Sequence, residues 1–166
     1  MEIIDIYNNK TVADCLSCSI NSGEYKVPCG LICSTEYFGV NQDCEIPIPG
    51  FIIVSSKRHI QRIDEFTEDE RKDFIDLIVK VRRGMREVLD IEQVDIIVAE
   101  LPDRKGEDHF HIWFYPVTKE SIEKFGTGIK AVKPMMNYAK ENLKTPENIK
   151  KIEECAEILK TYMNEK

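Results

Sequence analysis

The stretch His109-Phe110-His111-Ile112-Trp113-Phe114 decides how this chain is read. Extended backbone sends successive side chains to opposite faces, so Phe110, Ile112 and Phe114 share one face while His109, His111 and Trp113 share the other. The first set is what a core requires. The second places two imidazoles and an indole about 6 to 7 Å apart in succession, close enough to serve one site in different roles. Two histidines on such a face are also consistent with the solvated side of a half-buried strand, and the surrounding residues have to decide. The remaining histidine of the chain, His59, lies upstream in Lys57-Arg58-His59.

Working outward, residues 109–117 and 94–101 read as two strands around the polar loop 102–108. Before them, Thr67 followed by Glu70 is a capping box, and Phe74, Leu77, Ile78, Val81, Met85, Val88 and Leu89 recur at helical spacing for about six turns. The apolar run 51–56 reads as a strand behind a rigid connector, Ile46-Pro47-Ile48-Pro49-Gly50, because each proline holds its predecessor extended. Residues 29–35 and 37–43 read as two short strands joined closely enough to require a hairpin. Residues 1–28 read as short polar pieces. Downstream, Thr145 is a plausible N-cap with Pro146 at the first helical position. Ile149, Ile152, Ala156, Leu159 and Met163 then form one apolar stripe, expected to pack on its own domain rather than against a partner.

The expected class is α+β: an antiparallel meander of about five strands, a long helix between the third and fourth, and a C-terminal helical extension. Residues 1–116 are expected to form one domain, with 117–166 packed on it. Gly126-Thr127-Gly128 is too short for a phosphate-binding loop.

Composition excludes several functions. The chain has 166 residues with 42% hydrophobic and 32% charged, enough apolar material for one core and too much for a disordered protein. A net charge of −7 argues against coating long nucleic acid, which needs a surplus of Lys and Arg to displace phosphate counterions. One nucleotide needs only a few local donors. No stretch approaches the roughly 18 apolar residues of a membrane span. The opening Met1-Glu2-Ile3-Ile4-Asp5-Ile6 lacks a basic region and a long apolar run, so no signal peptide is expected and the protein is placed in the cytoplasm.

In a reducing compartment the six cysteines read as thiols or metal ligands. Cys15-Leu16-Ser17-Cys18 puts two thiolates within reach of one ion, half of a structural zinc site. Cys29 and Cys33 are the nearest candidates to complete it, but on a strand their sulfurs would stand about 13 Å apart. Histidines from other strands converge without that penalty. A redox pair is the alternative; that motif belongs at the start of a helix in a βαβ unit, and Ser19-Ile20-Asn21-Ser22-Gly23 does not suggest one. Cys44 and Cys155 read as ordinary small residues.

Taken in order, these residues resemble the histidine-triad superfamily of nucleotide hydrolases and transferases. The likeness covers residues 15–115, about 60% of the chain. It comprises the Cys-x-x-Cys opening with Asn21-Ser22-Gly23, the hairpin, Asp43, the strand leading to Ser56-Lys57-Arg58-His59, the long helix and the His-x-His strand. The resemblance implies a closed, structural zinc site of Cys15, Cys18, His59 and His109. It implies His111 as the nucleophile on the α-phosphorus of a nucleoside phosphate derivative, its tautomer set by a hydrogen bond to a backbone carbonyl. It implies Asp43 as a ligand of the ribose hydroxyls, although a hairpin-end turn residue explains Asp43 equally. Homodimers are common in the family.

Two departures stand out. Trp113 replaces the third histidine and donates one hydrogen bond without shuttling protons; a related uridylyltransferase branch has glutamine there. Arg104-Lys105-Gly106-Glu107-Asp108 replaces the usual Gly-Gln-Ser/Thr phosphate stretch. Arg104 or Lys105 would bind phosphate, or the loop is simply solvated. A zinc-containing module that binds nucleotide without catalysis is the rival reading, and a protein-interaction domain using the C-terminal helices is a third.

Overall fold

The computed structural model describes residues 2–100 and 108–165. The first 28 residues are more ordered than their polarity suggests. Strand β1 (Glu2–Ile4) pairs antiparallel with β2 (Lys10–Val12), and the turn between them is organised by Asp5, whose Oδ1 accepts from the backbone N–H of Tyr7 and of Asn9, each at 2.8 Å. Helix α1 (Leu16–Ser22) follows directly, with Cys15 at its N-cap and Gly23 ending it at φ +80°. The Cys-x-x-Cys pair therefore does open a helix, against the reading above. What precedes that helix is the β1–β2 hairpin, not a strand of a parallel sheet. Seven residues are too few to show a helical period, and the helix is held by Leu16 and Ile20 packing with Ile3, Ala13, Val27 and Cys44.

Strands β3 (Leu31–Ser34) and β4 (Phe38–Gln42) form the expected hairpin, β5 (Ile52–Ser56) follows the proline connector, and α2 (Glu68–Glu87) starts at the expected capping box, with Thr67 and Glu70 reciprocally bonded. Strand β6 (Val94–Val98) and β7 (His111–Pro116) come next, then α3 (Lys119–Phe125), α4 (Ile129–Asn142) and α5 (Pro146–Asn164). Strand β7 begins two residues later than the alternation predicted, so His109 lies just ahead of it.

The five-stranded sheet is antiparallel throughout, in the order β3-β4-β5-β7-β6. This corrects the meander in one respect: β7 lies between β5 and β6. Strands β5 and β6 consequently run parallel, two places apart, and a parallel return needs a crossover element, which α2 supplies. The strand carrying the histidines is thereby central.

Alternation along β7 separates two cores. Phe110, Ile112 and Phe114 join Phe38, Val54, Phe74, Val81 and Met85 beneath α2. On the other face Trp113 and Tyr115 pack with Ile46, Phe51, Val132 and Ala139 under α4. The stripe of α5 faces inward: Ala156, Leu159 and Met163 belong to the α2 core. Burial of each large apolar side chain of this kind is worth about 1.5 to 3 kcal/mol. No helix among the described residues is long and apolar enough to cross a membrane.

Candidate metal centre and catalytic cavity

Cys15 and Cys18 stand three residues apart at the start of α1, the separation that puts two side chains on one helical face. His59 is exposed in the loop after β5, and His109 is buried at the head of β7. The loop carrying His59 is clamped to α2: Arg58 donates Nε and Nη2 to the two carboxylate oxygens of Glu70 at 2.9 and 2.8 Å. Glu70 also accepts from the backbone N–H of Thr67 at 2.7 Å, so one buried carboxylate caps the helix and aims the loop.

These elements bring the four sequence-predicted ligands together. Cys15 Sγ lies 3.3 Å from His109 Nδ1, Cys18 Sγ lies 3.4 Å from the same nitrogen, and Cys18 Sγ lies 3.2 Å from His59 Nδ1. All four donor atoms fall within 4.8 Å of one another. Bonds of about 2.3 Å to sulfur and about 2.0 Å to nitrogen make the edges of a zinc tetrahedron roughly 3.3 to 3.8 Å, which the three contacts approach.

The protonation states agree. His109 Nε2 faces the Ser56 carbonyl at 2.6 Å; a carbonyl only accepts, so Nε2 carries the proton and Nδ1 is bare toward the sulfurs. Burial pulls the His109 imidazole down to about 4, keeping it neutral. Burial and the neighbouring Cys15 push the Cys18 thiol up to about 11, so two adjacent thiolates need a compensating cation. The donor set fits a structural zinc ion with no open position. Cys29 sits at φ +65° ahead of β3, and neither it nor Cys33 belongs to the cluster.

Beside this cluster lies a cavity of about 300 Å³. Its floor is the sheet face bearing His111, Trp113, Ser55, Ile53 and Asn41, and Asp43 reaches it from the end of β4. Helix α1 forms one wall through Leu16, Ser17 and Ile20, and α4 contributes Met136 and Lys140. Helix α1 is bolted to the floor by Asn21, whose Nδ2 donates to Ser55 Oγ at 3.1 Å and to the Ser56 carbonyl at 3.0 Å. Only glycine at 39 leaves room for that side chain, since a Cβ there would come within 2.2 Å of Asn21 Oδ1.

Within the cavity His111 Nδ1 lies 2.7 Å from the His109 carbonyl oxygen, the acceptor needed to hold the proton on Nδ1 and leave Nε2 bare. Its ring stands 5.8 Å from that of Trp113. Asp43 closes a turn, its Oδ1 accepting from the backbone N–H of Glu45 and Ile46 at 2.8 and 2.7 Å, and the residue also lines the cavity. Burial pushes its carboxyl up to about 6, against those two donors and Lys140, which pull it down. Arg104 and Lys105 lie outside the described residues.

Sequence reasoning missed Asn41, Ser55, Met136 and Lys140. Asn41 had a signal, because a period of two puts it on the face of Asp43. Met136 and Lys140 had none, since nothing local records that α4 folds back over the sheet.

No family model matches the chain, and no curated protein matches it. Solved structures do. A zinc-bound histidine triad family protein from Mycobacterium smegmatis is 18% identical at a TM-score of 0.61, covering 90% of this chain and 92% of that one. A hypothetical histidine triad nucleotide-binding protein from Sulfolobus tokodaii is 18% identical at 0.57, covering 86% and 92%. A HIT family protein from Bacillus anthracis is 20% identical at 0.58, covering 80% and 92%. With the sheet order, the Cys₂His₂ cluster and the His-x-His strand already in place, these likenesses establish that the chain has the histidine-triad fold.

Proposed function

We propose that this protein is a nucleotidyl hydrolase or transferase acting on nucleoside phosphate derivatives, of the phosphoramidate or dinucleoside polyphosphate class, with His111 as its nucleophile. The observation that carries this reading is the 2.7 Å approach of His111 Nδ1 to the His109 carbonyl beside a cavity of nucleotide-compatible size. Nδ1–H donates, so the Nε2 lone pair is free. Nε2 bonds to the α-phosphorus, the leaving group departs with its electron pair, and a nucleotidyl-histidine forms. Water or another acceptor then attacks the same phosphorus and the imidazole is released.

In this reading Asp43 holds the ribose hydroxyls and Lys105 binds phosphate. Trp113 donates a single hydrogen bond without acid function, which suits transfer, or hydrolysis of a substrate whose leaving group is already good. Zinc, when bound by Cys15, Cys18, His59 and His109, ties α1 and the His59 loop to the head of β7. Residues 1–116 form the catalytic domain and 117–166 an extension of it. The likeness to a nucleotide-binding protein of the same fold supports a nucleotide ligand. A cytoplasmic homodimer is part of the proposal: β6 is a sheet edge with Ile96 and Val98 exposed.

The rival reading, a zinc-containing module that binds nucleotide without turnover, is favoured by the two departures in sequence, Trp113 and the stretch 104–108. Metal analysis together with intact mass after incubation with a nucleotide phosphoramidate and a dinucleoside polyphosphate separates the two. One zinc per chain and a nucleotidyl adduct are expected. His111→Ala should lose the adduct and at least about 10³-fold in turnover while retaining nucleotide affinity. Binding without adduct or turnover in the parent protein selects the rival.

A further inference from the structure

The cavity has two chemically different ends. His111 and Ser55 stand at one. At the other, α4 presents Met136 and, one turn later, Lys140, opposite Ile46 and Glu45. Met136 and Ile46 belong to one apolar cluster, so a flat ring entering here meets apolar surface. Beside that surface Lys140 Nζ and Glu45 Oε1 stand 3.3 Å apart. Lys140 is the only Lys or Arg among the described cavity residues, and its ammonium is close enough to Asp43 to help hold that carboxylate ionised.

Several polar groups of the lining are already committed. Asn41 Nδ2 donates to the Gln42 carbonyl at 2.8 Å, Ser55 Oγ accepts from Asn21, and Asp43 Oδ1 closes its turn. The Lys140–Glu45 pair is different: its side chains are 44% and 32% exposed, and an ion pair so open to solvent gains little from its own attraction. A ligand separates it at little cost. An ammonium offers donors and a carboxylate offers two acceptor oxygens, so the complementary ring edge presents one acceptor next to two donors. Guanine does this, with O6 beside N1–H and N2–H₂. Adenine pairs one acceptor with one amino group, and uracil sets a single N–H between two carbonyls.

We propose that Lys140 and Glu45 read the base and make this site selective for guanine nucleotides, so that the C-terminal extension sets specificity. The inference rests on the nucleotide reading above. Trp113, the single tryptophan, lines the cavity and reports occupancy by its fluorescence. Titration of the full-length protein with GMP, AMP, CMP and UMP is expected to give GMP at least tenfold tighter than the others. Glu45→Gln should weaken GMP at least fivefold and leave AMP within twofold, and Lys140→Ala, which also removes a charge near Asp43, should weaken GMP at least fivefold more than it weakens AMP. The exchanged pair Glu45→Lys/Lys140→Glu, which keeps an ion pair and so guards against misfolding, should lose the preference for GMP. Equal affinities in the parent, or equal losses for all four nucleotides in the variants, overturn the base-reading role while leaving the nucleotide site standing. Absence of any response to all four overturns both.

Discussion

At the scale of single residues, one peptide segment serves both the metal cluster and the proposed nucleophile. The His109 ring presents Nδ1 to the thiols while its carbonyl oxygen orients His111, so a ring and a carbonyl of the same residue fix two neighbouring groups. Two carboxylates near this segment titrate in opposite directions. Burial raises Asp43 from 3.8 to about 6, so its neutral form favours the fold: that contribution is complete below the ordinary value and is lost as pH rises through 6. Asn at this position keeps the acceptor for the turn and removes the charge. Asp43→Asn is expected to melt above the parent at pH 7.5, to match it near pH 3, and to bind nucleotide more weakly; thermal melts and Trp113 fluorescence at both pH values decide. Glu70 has the reverse sign. The Arg58 guanidinium holds its carboxyl down at about 2, from 4.5, so the stability it supplies is present above the ordinary value and disappears as pH falls toward 2. Arg58→Ala is expected to cost about 1 to 3 kcal/mol at pH 7 and to flatten the loss of stability between pH 5 and 2, measured by urea unfolding. An unchanged acid slope would count against the clamp. The Cys15–Cys18 pair was legible from its spacing and the full ligand set only through the family resemblance; Lys140 was not legible, because a lysine on a helix has no local mark of what it faces.

Among elements, legibility followed length and self-sufficiency. Helix α2 announced both its start and its buried stripe, since a capping box and six turns of periodicity are local facts. Helix α1 did not, because its seven residues are held by contacts from β1, Val27 and Cys44 rather than by propensity. The packing of α5 on α2 was half visible: the stripe of α5 was plain, but not the place it lands. Gly84 marks that place, for a Cβ there would lie 2.7 Å from Leu159 Cδ1 and from the Tyr162 ring. Gly84→Val is expected to destabilise the protein by about 1 to 3 kcal/mol despite valine's better helix propensity. Chemical denaturation reads this directly, and a stabilised variant would mean that α5 moves aside freely.

For the whole molecule, the order β3-β4-β5-β7-β6 places β7 between two partners and leaves β6 as an edge. Ile96 and Val98 are 52% and 41% exposed there, an open apolar edge of the kind that invites another strand. If the proposed homodimer uses it, the parent should sediment as a dimer and Ile96→Lys/Val98→Lys as a monomer with its nucleotide affinity kept within about twofold. A monomeric parent removes the proposal. What the amino-acid order determined by itself was encoded within a few residues: the alternation that splits β7 between core and cavity, the cap and stripe of α2, and the paired thiols at 15 and 18. Only the tertiary structure decided that β7 enters between β5 and β6, that α1 bolts over Gly39, and that α4 folds across the cavity with Lys140. Strand order, helix landing sites and cavity walls are set by the joint burial of surfaces distant in sequence. That free energy belongs to pairs of segments and leaves no period in either one.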